Sequence, residues 1–118
     1  MFPTVRMRRL REHPVVRDMV RETRLSVDGL VAPLFVVEGL GAKEEITSMP
    51  GQYRHTLDSL VDHCKELQDL GVKSVILFGV PAQKDPTGTQ AYADDGIVQE
   101  AMRRIKAAVP GLLVIGDV

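Results

Sequence analysis

Residues 72–80, Val72-Lys73-Ser74-Val75-Ile76-Leu77-Phe78-Gly79-Val80, decide the fold. Val75, Ile76, Leu77 and Phe78 stand together without the polar alternation of a half-wet strand. A short apolar run of this kind suits a strand buried on both faces, as in parallel sheets. Before it, Leu57, Leu60, Val61, Cys64 and Leu67 recur at helical spacing. Thr56 suits the N-cap of that helix and Gly71 the position just past its end. After it, a loop rich in Pro, Gly, Asp and Thr covers 81–95. Ile97, Val98, Ala101, Met102, Ile105 and Ala108 then make a second amphipathic helix, stopped by Pro110-Gly111.

Two more apolar runs bracket this centre. Leu30 to Val37 reads as a strand in which Pro33 marks an edge or a strand start. Leu112 to Val118 reads as a third strand. Residues 38–55 read as a long polar loop with a turn at Pro50-Gly51. The order is arm, β, α, β, α, β. Apolar strands separated by helices predict an α/β fold with right-handed crossovers. The expectation is three parallel strands in sequential order with both helices on one side. The long βα loops are where such a fold keeps its site. A strand ending on its last apolar residue leaves faces uncovered, so the expectation is that part of the fold is missing or that another chain supplies it.

Residues 1–29 read as an arm and 30–118 as the body. Pro14 to Glu22 suits a short helix with Val15, Val16, Met19 and Val20 on one face. A helix so short needs a surface to pack on. The first 24 residues hold seven arginines against Glu12, Asp18 and Glu22, an excess of four positive charges. The other 94 hold eight basic and thirteen acidic residues, an excess of five negative charges. A basic arm can therefore lie on an acidic body, its own or a neighbour's.

The totals narrow the function classes. A chain of 118 residues holds one domain, and its net charge of −1 gives no global field toward nucleic acid or anionic lipid. The arm lacks the interleaved aromatics of a nucleic-acid binder, so an oligomer contact or a solvated face is the expectation. No stretch reaches the roughly 20 apolar residues that span a bilayer. Cys64 is the single cysteine, which fits a reducing, cytoplasmic setting and reads as a packed core thiol. No phosphate-binding glycine motif is present. His13, His55 and His63 lack metal-ligand spacing with one another. Lys43, beside Glu44 and Glu45, and Lys84, beside Asp85, read as solvated side chains paired with acids. Asp117 closes the third strand, where an acid projects into the mouth of a parallel barrel or sheet. It can equally be a cap or turn residue for a succeeding element.

Several blocks, in order, carry a resemblance. They are Arg8-Arg9-Leu10-Arg11, Arg21-Glu22-Thr23-Arg24-Leu25-Ser26, Pro33-Leu34-Phe35-Val36 and Ser48-Met49-Pro50-Gly51. Leu77-Phe78-Gly79-Val80-Pro81 comes next, then Lys84-Asp85 with Gly88 and Ala91-Tyr92, Asp95-Gly96-Ile97-Val98-Gln99, and Leu113-Val114-Ile115-Gly116-Asp117-Val118. Over essentially its whole length the chain resembles the N-terminal third of the porphobilinogen synthase (5-aminolevulinate dehydratase) family.

The resemblance implies the first β-α-β-α-β units of a (β/α)₈ TIM barrel, behind an arm that wraps a neighbouring subunit. It implies a lyase that condenses two 5-aminolevulinate molecules to porphobilinogen in tetrapyrrole and haem synthesis. It implies a homo-oligomer, an octamer in the family. It aligns Asp117 with an active-site aspartate and Phe78 with an aromatic wall against substrate. The family's Schiff-base lysines and its zinc site, or magnesium in place of zinc, fall beyond Val118. No metal ligand is therefore expected within this chain, and the chain alone is expected to be inactive. A non-catalytic fragment and a small α/β binding module stay open beside this reading.

Overall fold

The computed structural model describes residues 1–39 and 41–117; the expected strand end at Val118 lies outside the described residues. The body is mixed α/β. Strands β1 (Val31–Val37), β4 (Ser74–Val80) and β5 (Leu113–Gly116) lie side by side, all parallel. They alternate with helices α3 (Leu57–Asp69) and α5 (Ile97–Ala108). In the register Leu34 pairs with Leu77, and Leu77 with Gly116.

Alternation along these strands sorts two faces. One carries Leu34 and Val36 of β1 and Val75 and Leu77 of β4, packed against Leu60 and Cys64 of α3 and Ala101 and Ile105 of α5. Both helices therefore cover the same face, as expected from the handedness of βαβ crossovers. Leu60, Leu77 and Ile105 are fully enclosed, each contributing about 1.5–3 kcal/mol by burial. The other face carries Phe35, Ile76, Phe78 and Ile115, which stay only partly covered.

Local signals explain the element ends. Gly71 takes φ +88° just past α3. Its N–H donates to Gln68 O at 2.9 Å and that of Val72 to Leu67 O at 3.0 Å, a Schellman closure that needs the left-handed residue. Thr56 holds the N-cap position of α3, but its hydroxyl donates to Gly41 O at 2.9 Å and accepts from no helix N–H.

Three expectations need correction. Residues 38–55 are more than a loop: β2 (Glu44–Glu45) runs antiparallel to β3 (Tyr53–His55), and β3 adds parallel to β1 at Phe35 and Val36. The sheet order is β2-β3-β1-β4-β5, so β1 is an edge only below those rungs. Pro33 lies in that uncovered stretch, where its missing N–H breaks no rung to β3. The loop 81–95 contains one helical turn, α4 (Thr89–Tyr92). The arm holds two short helices, α1 (Arg9–Glu12) and α2 (Pro14–Met19), where one reaching Glu22 was expected. The His13 ring accepts from Val15 N–H at 3.2 Å and starts α2.

No residue of the arm is buried. A compact chain of this length has a radius of gyration of about 13–14 Å, whereas this one has 20.5 Å. The arm meets the body at its end, through a 3₁₀ turn at Val27–Gly29 and the ion pair of Asp28 with Lys73. That pair, Lys73 first, lowers the Asp28 carboxyl below its ordinary range.

Candidate functional site at the C-terminal strand ends

β4 and β5 end beside one another. The N–H of Asp117 donates to Leu77 O at 3.3 Å, which carries the ladder one rung past β5. That rung sets Asp117 next to Phe78. Both residues line a cleft of about 330 Å³ between the strand ends, α4 and the first turn of α5. Its wall is largely apolar, from Pro81, Ile97, Val98 and Met102, with Gln90, Gln99 and Asp117 as its polar side chains. An apolar concavity with a few polar groups is the usual build of a small-molecule site. Asp117 is exposed at its rim.

Two glycines let α5 come this close. A Cβ on Gly79 would stand 2.5 Å from Val98 Cγ2 and 3.0 Å from Ile97 Cγ2. A Cβ on Gly116 would stand 3.3 Å from Met102 Sδ. Gln99 ties the loop down: its Nε2 donates to Ala91 O at 2.7 Å, while its Oε1 is enclosed without a donor. These roles of Gly79, Gly116 and Gln99 were not foreseen, because they arise from contacts across the chain and carry no periodic signal.

Phe78 stacks on Phe35 of β1, with ring centroids 5.5 Å apart and planes at 29°. The two rings give the open face of the sheet a rigid aromatic floor beside the strand ends. The α4 turn is pinned by Asp85, whose carboxylate accepts from Thr89 N–H at 2.9 Å and from the N–H and hydroxyl of Thr87, each at 3.1 Å. Those bonds, from Thr89 foremost, hold the Asp85 carboxyl down at about 2.

The loop lysines are exposed, but not through the neighbours expected of them. Lys43 Nζ lies 4.2 Å from the centre of the Tyr53 ring, a cation–π contact. Glu44 turns to Arg54 and Glu45 accepts from Gly51 N–H. Asp85 is occupied by the two threonines. Cys64 is fully enclosed, and burial pushes its thiol up to about 11, as suits a core residue and not a nucleophile. Among the described residues no three of His, Cys, Asp and Glu gather closely enough to hold a metal ion. The described residues do not make a zinc or magnesium site: the one thiol is sealed in the core, and Asp117 belongs to no group of three such ligands.

The family model for delta-aminolevulinic acid dehydratase matches residues 4–118. The chain is 51% identical over 117 residues to the delta-aminolevulinic acid dehydratase of Synechocystis sp., covering 99% of this chain and 36% of that protein. It is 49% identical over 112 residues to the one from Bacillus subtilis, covering 95% and 35%. The crystal structure of delta-aminolevulinic acid dehydratase from Toxoplasma gondii ME49, in complex with its reaction product porphobilinogen, superposes with a TM-score of 0.89 at 32% identity. That match covers 97% of this chain and 33% of the other. The chain thus spans about a third of the length of these relatives. Its strands, its loop blocks and this match over nearly every residue lead to one conclusion: the chain belongs to the delta-aminolevulinic acid dehydratase family.

Proposed function

We propose that this chain is the N-terminal third of a porphobilinogen synthase, which joins two 5-aminolevulinate molecules into porphobilinogen with loss of two waters. In this reading the strands β1, β4 and β5 open a (β/α)₈ barrel. The face carrying Phe35, Ile76, Phe78 and Ile115 then becomes barrel interior, and the strand ends become its mouth. One observation supports the reading most directly. Asp117, singled out by its strand-end position, and Phe78, aligned by the family resemblance, line one cleft at the strand ends. The fold around them matches that of a relative holding porphobilinogen.

In the complete protein Asp117 would serve as a carboxylate near cationic intermediates, accepting a proton or offsetting charge. Phe78 would close one side of the substrate pocket with a flat apolar surface. Imine chemistry needs an amine in a dry pocket, and Lys43 and Lys84 are exposed. The nucleophilic lysines and any metal ligands would come from sequence outside this chain, and residues 1–118 alone would form no porphobilinogen. The test is porphobilinogen formation from 5-aminolevulinate by the complete protein that contains this chain. A folded, assembled protein that yields no product, with zinc or magnesium supplied, would overturn the assignment.

A further inference from the structure

Away from the cleft, two imidazoles lie face to face. His55 ends β3 and His63 sits on α3; their centroids are 4.9 Å apart and their planes within 12° of parallel. His55 is 3% exposed, whereas the His63 side chain is 33% exposed. The joint around them is polar and tied. Ser59 Oγ lies 3.4 Å from His55 Nδ1 and donates to Thr56 O at 3.2 Å. The Thr56 hydroxyl reaches across to Gly41 O.

The charged groups facing the pair come from both sides. On α3, Glu66 Oε2 lies 3.0 Å from His63 Nδ1. On the ribbon, Lys43 sits over Tyr53, whose ring stands edge-on to His55 at 6.4 Å. The ribbon's own acids are engaged elsewhere, Glu44 with Arg54 and Glu45 with Gly51 N–H. His63 therefore has a carboxylate to neutralise a proton. Among the described residues, the hydroxyl of Ser59 is the hydrogen-bond partner of the His55 ring.

We propose that the His55–His63 stack is a proton-operated latch that fastens the β2–β3 ribbon to α3, closed while at most one ring is charged and released when both are. His63 is open to water and beside Glu66. A proton on His55 must enter a buried ring whose centre lies 4.9 Å from a second imidazole, so two charged rings would repel at short range. Burial first, then His63 and Lys43, keep the His55 ring below the ordinary histidine range, with Glu66 and Ser59 only partly opposing them. Linkage fixes the sign. A neutral His55 contributes stability that is present above its unfolded value of about 6.5 and is lost as pH falls through the lower folded value. Release therefore belongs to mildly acid conditions, below about pH 6. It frees β3 from Phe35 and Val36, one edge of the sheet, and leaves β4 and β5 paired. The latch stands apart from the proposed activity, since neither histidine lines the cleft.

Amide hydrogen exchange between pH 7.5 and 5 on the complete protein that contains this chain tests it, with histidine ring signals tracked in parallel. The reporter is the Ile46 N–H, which donates to Gln52 O at 2.8 Å across the ribbon; the β4 amides are the internal reference. After correction for intrinsic exchange, the ribbon should gain at least about 10-fold in rate over β4 as His55 titrates. His63→Gln removes the opposing charge but keeps a flat amide, so at most one ring can be charged and the ribbon should stay closed down to pH 5. A constant ratio of ribbon to β4 rates down to pH 5 would overturn the latch. So would release in His63→Gln at the same pH as in the parent chain.

Discussion

Gly79 shows how one missing side chain shapes the cleft. It pairs with Val36 on β1 and faces α5, whose first turn presents the branched side chains of Ile97 and Val98. Branched side chains at a helix start have little rotamer freedom to retreat, so Gly79→Ala must move the helix. The expected cost is about 1–3 kcal/mol, read as a lower urea midpoint; an unchanged midpoint would show that α5 yields freely. Asp117 is a different case, an exposed residue with little packing to lose. In the complete protein, Asp117→Asn keeps its shape and removes its charge. Turnover should fall by roughly 10²-fold or more with an unchanged melting temperature. Near-normal turnover with a lowered melting temperature would make Asp117 a turn residue instead. Asp117 stood out in the sequence because it closes an apolar run, and strand ends are where such folds keep their chemistry; Phe78 was singled out only by the family resemblance. Gln99 was not legible as a tether, because its bond to Ala91 O depends on how the 81–95 loop folds back.

At the scale of elements, β1, α3, β4, α5 and β5 were legible because each buries enough apolar side chains to show a period. The β2–β3 ribbon was not. Two- and three-residue strands are too short for alternation, and Tyr53, Arg54 and His55 read as polar. Their pairing comes from tertiary placement: Ile46 plugs the turn at 7% exposure, and His55 is covered by α3. The α4 turn is likewise set by a local polar device, not by a stripe. Asp85 fastens it through three hydrogen bonds, so its hold should depend on charge. The folded carboxyl lies lower, at about 2, than the unfolded one, so this hold is complete above about pH 4 and lost as pH falls through about 2. Exchange of the Thr89 amide should quicken over that window. In Asp85→Asn it should be faster at neutral pH and flat through the acid range. Identical profiles for the two proteins would show that the loop backbone holds α4 unaided.

For the whole molecule, the decisive feature is how much apolar and charged surface stays open. Val15, Met19 and Val20 are 57%, 77% and 46% exposed, so among the described residues most of the apolar face of α2 is uncovered, with only Val16 half-buried. The arm's charge was legible from the arginine count, but its internal use was not. Arg21 pairs with Asp18, while Arg17 and Arg24 donate to backbone carbonyls of the arm itself. Among the described residues, Arg6, Arg8, Arg9 and Arg11 make no ion pair, so the free positive charge is concentrated before α2. Those arginines and the α2 stripe together match an acidic neighbour with an apolar shelf, and the body carries the negative excess. In the complete protein, the arm is therefore expected to lie on an adjoining subunit. Removing residues 1–25 spares Ser26, the 3₁₀ turn that it caps and the Asp28–Lys73 pair, so the body keeps its anchor. Sedimentation velocity should then show smaller assemblies, while the melting temperature of the dissociated subunit moves by only a few degrees. Because much of the contact is exposed charge, raising salt from 0.05 to about 0.5 M should shift the intact protein partway toward the same smaller species. Full-size assemblies from the shortened protein, stable at both salts, would show that the arm is a solvated extension with no part in holding subunits together.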